Sequence, residues 1–205
     1  HQEALKFIER NKDEKFFVYY ASPIPHLPLQ APAIWVNYYR EKFGEEKPYT
    51  GGSGYYPNQY PKATYAAMIS YLDQQVGELV KKLKEIGKYE NTLIIFSSDN
   101  GPTHIDHVDI DFFNSASPFL NSENTVKGNL NEGGIRVPTI ATWPKVIAAG
   151  SESNHPSIFY DYLATISDLV GVTPPYKTDG ISFLPTLKGK TQEKPVSYTH
   201  LRAHE

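Results

Sequence analysis

The stretch Thr92-Leu93-Ile94-Ile95-Phe96-Ser97-Ser98-Asp99-Asn100-Gly101-Pro102 decides how the chain is read. Its first five residues are a short, continuous apolar run, the pattern of a strand buried on both faces in the parallel sheets of α/β proteins. Asp99 and Asn100 then emerge where that strand ends, and ligands in open α/β sheets gather outside the carboxyl ends of the strands. A carboxylate beside an amide carbonyl suits a hard divalent cation such as Ca2+ or Mg2+. Asp-Asn-Gly-Pro is equally ordinary turn chemistry, so by itself the segment leaves both readings open.

The clearest periodicity lies just upstream. Tyr65, Ile69, Leu72, Val76, Leu79, Val80, Leu83 and Ile86 recur at three- and four-residue spacings and Gly87 follows as a stop, which predicts a helix over 61–86. A helix feeding a buried strand is half of a parallel crossover unit, so the predicted class is α/β with a largely parallel central sheet flanked by helices. Working outward, Leu5, Phe7 and Ile8 mark a short amphipathic helix over 1–11, and Phe16 to Tyr20 read as a second buried strand. That strand runs into the proline-broken loop 22–28. Pro32 is placed to open a helix reaching Phe43, and 44–60 is a glycine- and tyrosine-rich excursion without periodicity. Beyond a long polar loop over 101–132, Arg136 to Thr142 read as a strand ended by Trp143-Pro144. Ser157 to Val170 read as a helix ended by Gly171, and 180–188 as a short packed segment.

Composition narrows the function classes. The 205 residues are 40% hydrophobic and 21% charged, an ordinary globular mix. A net charge of −3 provides no basic footprint for nucleic acid and no cationic face for a membrane surface. No apolar run approaches the length of a membrane-spanning helix. The absence of cysteine removes disulfides, thiolate metal sites and a cysteine nucleophile from this stretch. The chain opens on His1 without a signal-peptide pattern, as expected of a piece that begins inside a longer protein. Val196 to Glu205 match nothing before them and read as a non-native tail, which leaves 1–195 as the natural portion.

Three polar positions carry the candidate chemistry, each in a loop next to a predicted core strand. His26 sits in Pro25-His26-Leu27-Pro28, Asp99 and Asn100 follow the decisive strand, and Lys127 opens Lys127-Gly128-Asn129-Leu130-Asn131-Glu132-Gly133-Gly134-Ile135-Arg136-Val137-Pro138. Each has a plain alternative: a histidine satisfied by backbone, a turn, a solvated lysine. Glycines on both sides of Glu132 predict a tight backbone approach.

Taken in order, these segments resemble the sulfatase family of the alkaline phosphatase superfamily, from residue 1 to about 195. The matching pieces are Phe16-Phe17-Val18-Tyr19-Tyr20 leading to Pro25-His26-Leu27-Pro28-Leu29-Gln30-Ala31-Pro32, then Tyr71-Leu72-Asp73 and Val76-Gly77. Ser98-Asp99-Asn100-Gly101-Pro102, Lys127-Gly128, Glu132-Gly133-Gly134-Ile135-Arg136-Val137-Pro138 and Trp143-Pro144 complete the set. Asp-Asn-Gly followed by Lys-x4-Glu-Gly-Gly-x-Arg-x-Pro is its specific part.

The resemblance implies an alkaline phosphatase-like fold, present as a fragment, and hydrolysis of an aryl or carbohydrate sulfate ester. It implies that Asp99 and Asn100 supply two ligands to Ca2+ (or Mg2+), that His26 and Lys127 contact the sulfate, and that His26 protonates the departing alcohol. Glu132 and Arg136 are read as scaffold, a buried ion pair or a hydrogen-bonded turn that aims the Lys127 loop. The resemblance also implies a periplasmic or secreted location, and substrate choice shaped by loops 44–60 and 103–126. One piece departs from the pattern. Family members attack sulfur with a formylglycine made in a Cys/Ser-x-Pro-x-Arg motif, yet the residues four before Arg10, Arg40, Arg136 and Arg202 are Lys6, Val36, Glu132 and Tyr198. The nucleophile is expected on an upstream segment, and a smaller C-terminal subdomain after residue 195. Two other readings keep the same residues: a phosphate or phosphonate monoester hydrolase of the superfamily, and a catalytically dead relative that binds carbohydrate through the aromatic segment Tyr49 to Tyr60. The isolated 205-residue chain is predicted to show no turnover, which an arylsulfate hydrolysis assay checks.

Overall fold

A computed structural model describes residues 1–192 apart from Ser53, Asp106, Leu120 and Glu123. The expectation for Val196 to Glu205 therefore falls outside the described residues. The chain packs as two units, one of His1–Tyr89 with Asn100–Pro138, the other of Glu90–Asp99 with the described residues from Thr139 onward.

The first unit is built on three helices, α1 (Gln2–Arg10), α2 (Ala33–Phe43) and α3 (Pro61–Glu85). Helix α3 matches the apolar periodicity to within a residue, and Gly87 takes the left-handed conformation at φ 68° beyond its end. Helix α1 is tied to α3 by Lys82 with Glu9 at 3.2 Å and by His1 Nε2 with Glu78 at 2.8 Å. Helix α2 is tied to it by the Tyr39 and Ser70 hydroxyls at 2.6 Å and by Trp35 Nε1 donating to Gln74 at 3.0 Å. Pro32 serves as the N-cap of α2 rather than its first turn.

The aperiodic excursion over 44–60 is fastened by side chains. The Glu46 carboxylate accepts from the backbone N–H groups of Lys62 at 2.6 Å and Ala63 at 3.1 Å. It thereby satisfies two donors that a helix N-terminus otherwise leaves unpaired, and it places negative charge at the positive end of the helix dipole. Asn58 Oδ1 accepts from Tyr60 N and the Thr64 hydroxyl, while its Nδ2 donates to the Leu29 carbonyl at 3.1 Å. The long polar loop expected over 101–132 carries short helices: α4 (Ile110–Phe113), capped by Asp109 accepting from Phe112 N at 2.8 Å, and, starting at its end, α5 (Glu132–Ile135). Tyr65 and Met68 of α3 share one core with Leu27 and Leu29 from the His26 loop and Val108 from the segment after Asn100.

In the second unit, β1 (Ile94–Phe96) pairs with β2 (Ile140–Thr142), Ile95 lying opposite Ala141. The α/β class holds, but this ladder is antiparallel where a largely parallel sheet was expected. Antiparallel strands on α/β sheets are common, and an apolar run predicts that a strand exists without predicting its direction. Phe16 to Tyr20 join no ladder among the described residues, and Phe17 and Tyr19 are 63% and 72% exposed. Phe96 is 40% exposed, so within this chain β1 is not buried on both faces. Helix α6 (Asp161–Val170) ends at Gly171 and begins four residues later than predicted. Its buried Asp161 carboxylate accepts from Ile158 N at 2.9 Å and Ile181 N at 2.8 Å, which seats the 180–188 segment and its short helix α7 (Leu184–Leu187). Among the described residues no helix is long and apolar enough to cross a membrane.

Replacing Glu46 by alanine strips the α3 N-terminus of both carboxylate bonds, and urea denaturation should register a loss of about 1–2 kcal/mol.

Candidate functional site

The loop that carries His26 is held by its apolar neighbours. Leu27 and Leu29 are buried against Tyr65 and Met68, while His26 between them and the solvent is exposed. The His26 N–H donates to the Pro23 carbonyl at 2.7 Å, and Nδ1 lies 2.9 Å from the Leu27 carbonyl. A carbonyl can only accept, so Nδ1 carries the hydrogen, and Nε2 is the acceptor of the neutral ring and the donor of the protonated one.

The Asp-Asn-Gly turn and the Lys127 loop are joined through backbone. Gly101 N donates to the Gly134 carbonyl at 2.9 Å, and Lys127 N donates to the Pro102 carbonyl at 3.0 Å. Gly101 packs on Gly133 so closely that a methyl there would overlap the Gly133 carbonyl. A methyl at Gly134 would lie 2.8 Å from the Val126 carbonyl oxygen and nearer still to that of Asn129. Val126, fully buried, anchors the loop immediately before Lys127. The tight approach expected around Gly133 and Gly134 is thus present.

The charged scaffold takes a different form. Arg136 Nη1 does donate to Glu132 Oε2 at 2.7 Å, but the two side chains are 67% and 43% exposed rather than buried. An exposed pair of this kind contributes about 0–1 kcal/mol. Of the two forms expected, the hydrogen-bonded turn is present, with Arg136 N donating to the Glu132 carbonyl at 2.8 Å, and the buried ion pair is not; glycine packing adds the close contact to the Asn100 turn. The sequence signal for it was the glycine after Asp99-Asn100 read together with Gly133-Gly134.

Lys127 is half-buried, and its ammonium makes no ion pair or hydrogen bond among the described residues. Asn100 is half-buried, with Nδ2 donating to the Gly101 carbonyl at 2.9 Å, so its oxygen is the accepting end of the amide. Asp99 is exposed and packs with the second unit. The structure therefore joins Asn100 and Lys127 through one backbone lock and seats His26 on the core that also holds the segment following Asn100. No hydrogen bond or ion pair among the described residues links the side chains of His26, Asp99 and Lys127 to one another. Among the described residues no three histidine, cysteine or acidic side chains cluster to hold a metal. Asp99 and Asn100 are two oxygen donors, and calcium takes about six to eight; they fit as part of a calcium site.

Two further features were not singled out by residue in the sequence. Tyr49 stacks on the buried His107 ring with centroids 4.0 Å apart, and Arg40 lies 3.7 Å above the Tyr60 ring, so much of the aromatic segment packs internally. A cavity also opens in the segment between Asn100 and Lys127, lined in part by His104, Asp111 and Asn121.

Comparison with known proteins bears on these positions. The sulfatase family model matches residues 1–172. Human N-acetylgalactosamine-6-sulfatase is 31% identical over 201 residues, covering 96% of this chain and 33% of that protein. The chain thus spans about a third of the length of the curated relatives it matches. The crystal structure of Ps i-CgsB superposes with a TM-score of 0.72 at 30% identity, over 95% of this chain and 38% of that one. A structure solved in complex with its substrate D-glucosamine-2-N,6-O-disulfate superposes with a TM-score of 0.51 at 29% identity, over 65% and 24%.

Substituting alanine for Gly134 should destabilise the protein by about 1–3 kcal/mol or more, because backbone has to move to admit the methyl. At Gly77, on the exposed side of α3 with nothing within 4 Å of the added carbon, the same change should be neutral or stabilise by about 0.5–1 kcal/mol. Thermal melts of the two variants separate the effects.

Proposed function

Because the chain belongs to the sulfatase family, we propose that it supplies part of the metal and sulfate site of a sulfuric ester hydrolase acting on a carbohydrate or aryl sulfate. The observation that carries this reading is the backbone lock between the Asn100 turn and the Lys127 loop, which pairs an oxygen-donor turn with an ammonium that has no acidic partner among the described residues. In this reading residues 1–195 are part of the catalytic domain. An upstream Cys/Ser-x-Pro-x-Arg segment provides the formylglycine nucleophile, and a smaller subdomain follows.

The roles follow from the chemistry of the ester. The nucleophile bonds to sulfur, the S–O bond to the alcohol breaks, and charge develops on the leaving oxygen and the non-bridging oxygens. Lys127 binds the non-bridging oxygens and is held for it by its backbone bond to Pro102. His26, with Nδ1 committed to the Leu27 carbonyl, presents protonated Nε2 to the leaving oxygen and delivers the proton there. Asp99 and Asn100 would hold one side of a calcium ion, which neutralises sulfate charge when bound. Similarity to an N-acetylgalactosamine-6-sulfatase and to a structure holding a disulfated glucosamine substrate favours a sulfated sugar over a simple aryl sulfate.

The test uses the full-length protein and sulfate release from p-nitrophenyl sulfate and from sulfated monosaccharides. Lys127→Ala should lower kcat/KM about ten- to a hundredfold, the worth of one hydrogen bond to a charged group. His26→Ala should cost more kcat on sugar sulfates, whose alcohol leaves poorly, than on p-nitrophenyl sulfate, whose phenolate needs little protonation. Chelation should abolish turnover and added Ca2+ should restore it. No sulfate release from any ester by the full-length protein would overturn the reading.

A further inference from the structure

The cavity in the segment joining Asn100 to Lys127 has a volume of about 410 Å3 and a polar wall of His104, Asp109, Asp111, Asn121 and Ser122. That volume lies within the range of small-molecule sites. Its wall is fixed. Asn121 Nδ2 donates to the Ile110 carbonyl at 2.8 Å and to Asp111 Oδ1 at 3.1 Å, and its oxygen accepts from Ala116 N at 3.2 Å. Asp109 caps α4 and faces Lys62 at 3.7 Å, while Ser122 is bonded to Thr125 through backbone and hydroxyl. Val108, at 2% exposure, roots this wall in the core beneath the His26 loop.

The chemistry of the wall selects its occupant. The Asp109 charge is countered by Lys62, whereas Asp111 has no cationic partner among the described residues. The cavity is therefore acidic and disfavours a sulfate. Its polar wall is a set of hydrogen-bonding groups spread over His104, Asp111, Asn121 and Ser122. Such a wall suits a group rich in hydroxyl donors with a few acceptors, which carboxylates, an amide and a hydroxyl recognise together. The buried Nδ1 of His104, which makes no hydrogen bond within the described residues, adds one more polar atom to this wall region. Position completes the case. His104 lies two residues beyond Pro102, so their Cα atoms are at most about 7 Å apart, and the Pro102 carbonyl holds the Lys127 backbone. From the other side, Ser122 reaches Lys127 through a hydrogen-bonded turn closed by Thr125 N to the Ser122 carbonyl at 2.9 Å.

We propose that this pocket binds the hydroxyl face of a neutral sugar ring, so that the unsulfated part of a sulfated carbohydrate is held by Asp111, Asn121 and His104 while its sulfate turns toward Lys127. The first half concerns the pocket alone; the second rests on the sulfate-ester reading.

The probes are unsulfated methyl glycosides of galactose, glucose, fucose and N-acetylgalactosamine, titrated into the full-length protein by calorimetry or ligand-observed NMR. At least one should bind, and Asp111→Ala and His104→Ala should each weaken its Kd about tenfold, the loss of one hydrogen bond to a charged or buried group. Asp111→Asn, which keeps the contact to Asn121, should weaken it less and guards against misfolding. In turnover, the ratio of kcat/KM for the sulfated form of that sugar over p-nitrophenyl sulfate should fall about tenfold in Asp111→Ala. Binding of no glycoside at millimolar concentration, or binding unaltered by all three substitutions, overturns the pocket. Pocket-dependent glycoside binding with an unchanged kinetic ratio overturns its link to the sulfate. Such binding without sulfate release from any ester counts against the sulfate-ester reading and leaves the pocket standing.

Discussion

The contact of Gly101 with Gly133 and Gly134 is the constraint on which the site geometry depends. Backbone meets backbone there at a distance no side chain permits, and the Gly101 N–H turns that proximity into a hydrogen bond with the Gly134 carbonyl. With the second bond from Lys127 N to Pro102, two loops that follow different elements become one backbone unit. Lys127 is left with only its own side-chain torsions to search. That is preorganisation of the kind that lets a charged group act without first reorganising. It is achieved without a buried ion pair, whose desolvation would offset most of its attraction.

Around that lock, the first unit is a long helix, α3, dressed with the loops that hold the candidate site residues. The Tyr65 and Met68 face of α3 holds apolar residues on either side of His26 and the Val108 segment in one core. Aromatic contacts extend it: Phe113 meets Tyr65 at 5.3 Å and Phe112 meets Phe43 at 5.1 Å, so α4 is pinned between α2 and α3. Lys62 reinforces the same point, lying 4.6 Å from the Phe112 ring while facing Asp109. Segments with no hydrophobic periodicity are ordered by side chains bonded to backbone, as Glu46 and Asn58 show.

What could be read in advance follows from the range of each signal. Helix α3 was legible because eight apolar positions from Tyr65 to Ile86 repeat with the helical period over about six turns' worth of chain. The position of β1 was legible from its apolar run, but not its antiparallel partner, because strand direction is set by residues some forty-five positions away. Helix α4, at four residues, is about one turn and too short for the helical period to repeat. Glu132 and Arg136 announce their pairing by their i,i+4 spacing, and nothing in that spacing says whether solvent reaches them. Motif context singled out His26, Asp99, Asn100 and Lys127 together, and of these the structure ties the Asn100 turn to the Lys127 loop through backbone. The His104 to Ser122 pocket was not, since it is assembled from an aperiodic stretch whose walls Asn121 joins by hydrogen bonds to Ile110 and Asp111.

Charge at the site is a local matter that the overall balance of −3 conceals. Lys82 sits between Glu9 and Glu85, and hydrogen bonds first to Glu85 and then to Glu9 raise its pKa. An anion approaching Lys82 would have to displace a carboxylate already in place. Lys127 presents no such competitor among the described residues, and its loop cannot swing to find one because Val126 is buried and Lys127 N is bonded to Pro102. A half-buried ammonium with no carboxylate partner among the described residues forgoes the stabilisation that pairing would bring. In the sulfate-ester reading proposed above, that cost would be offset when an anion arrives, with Lys127 held as the binding group.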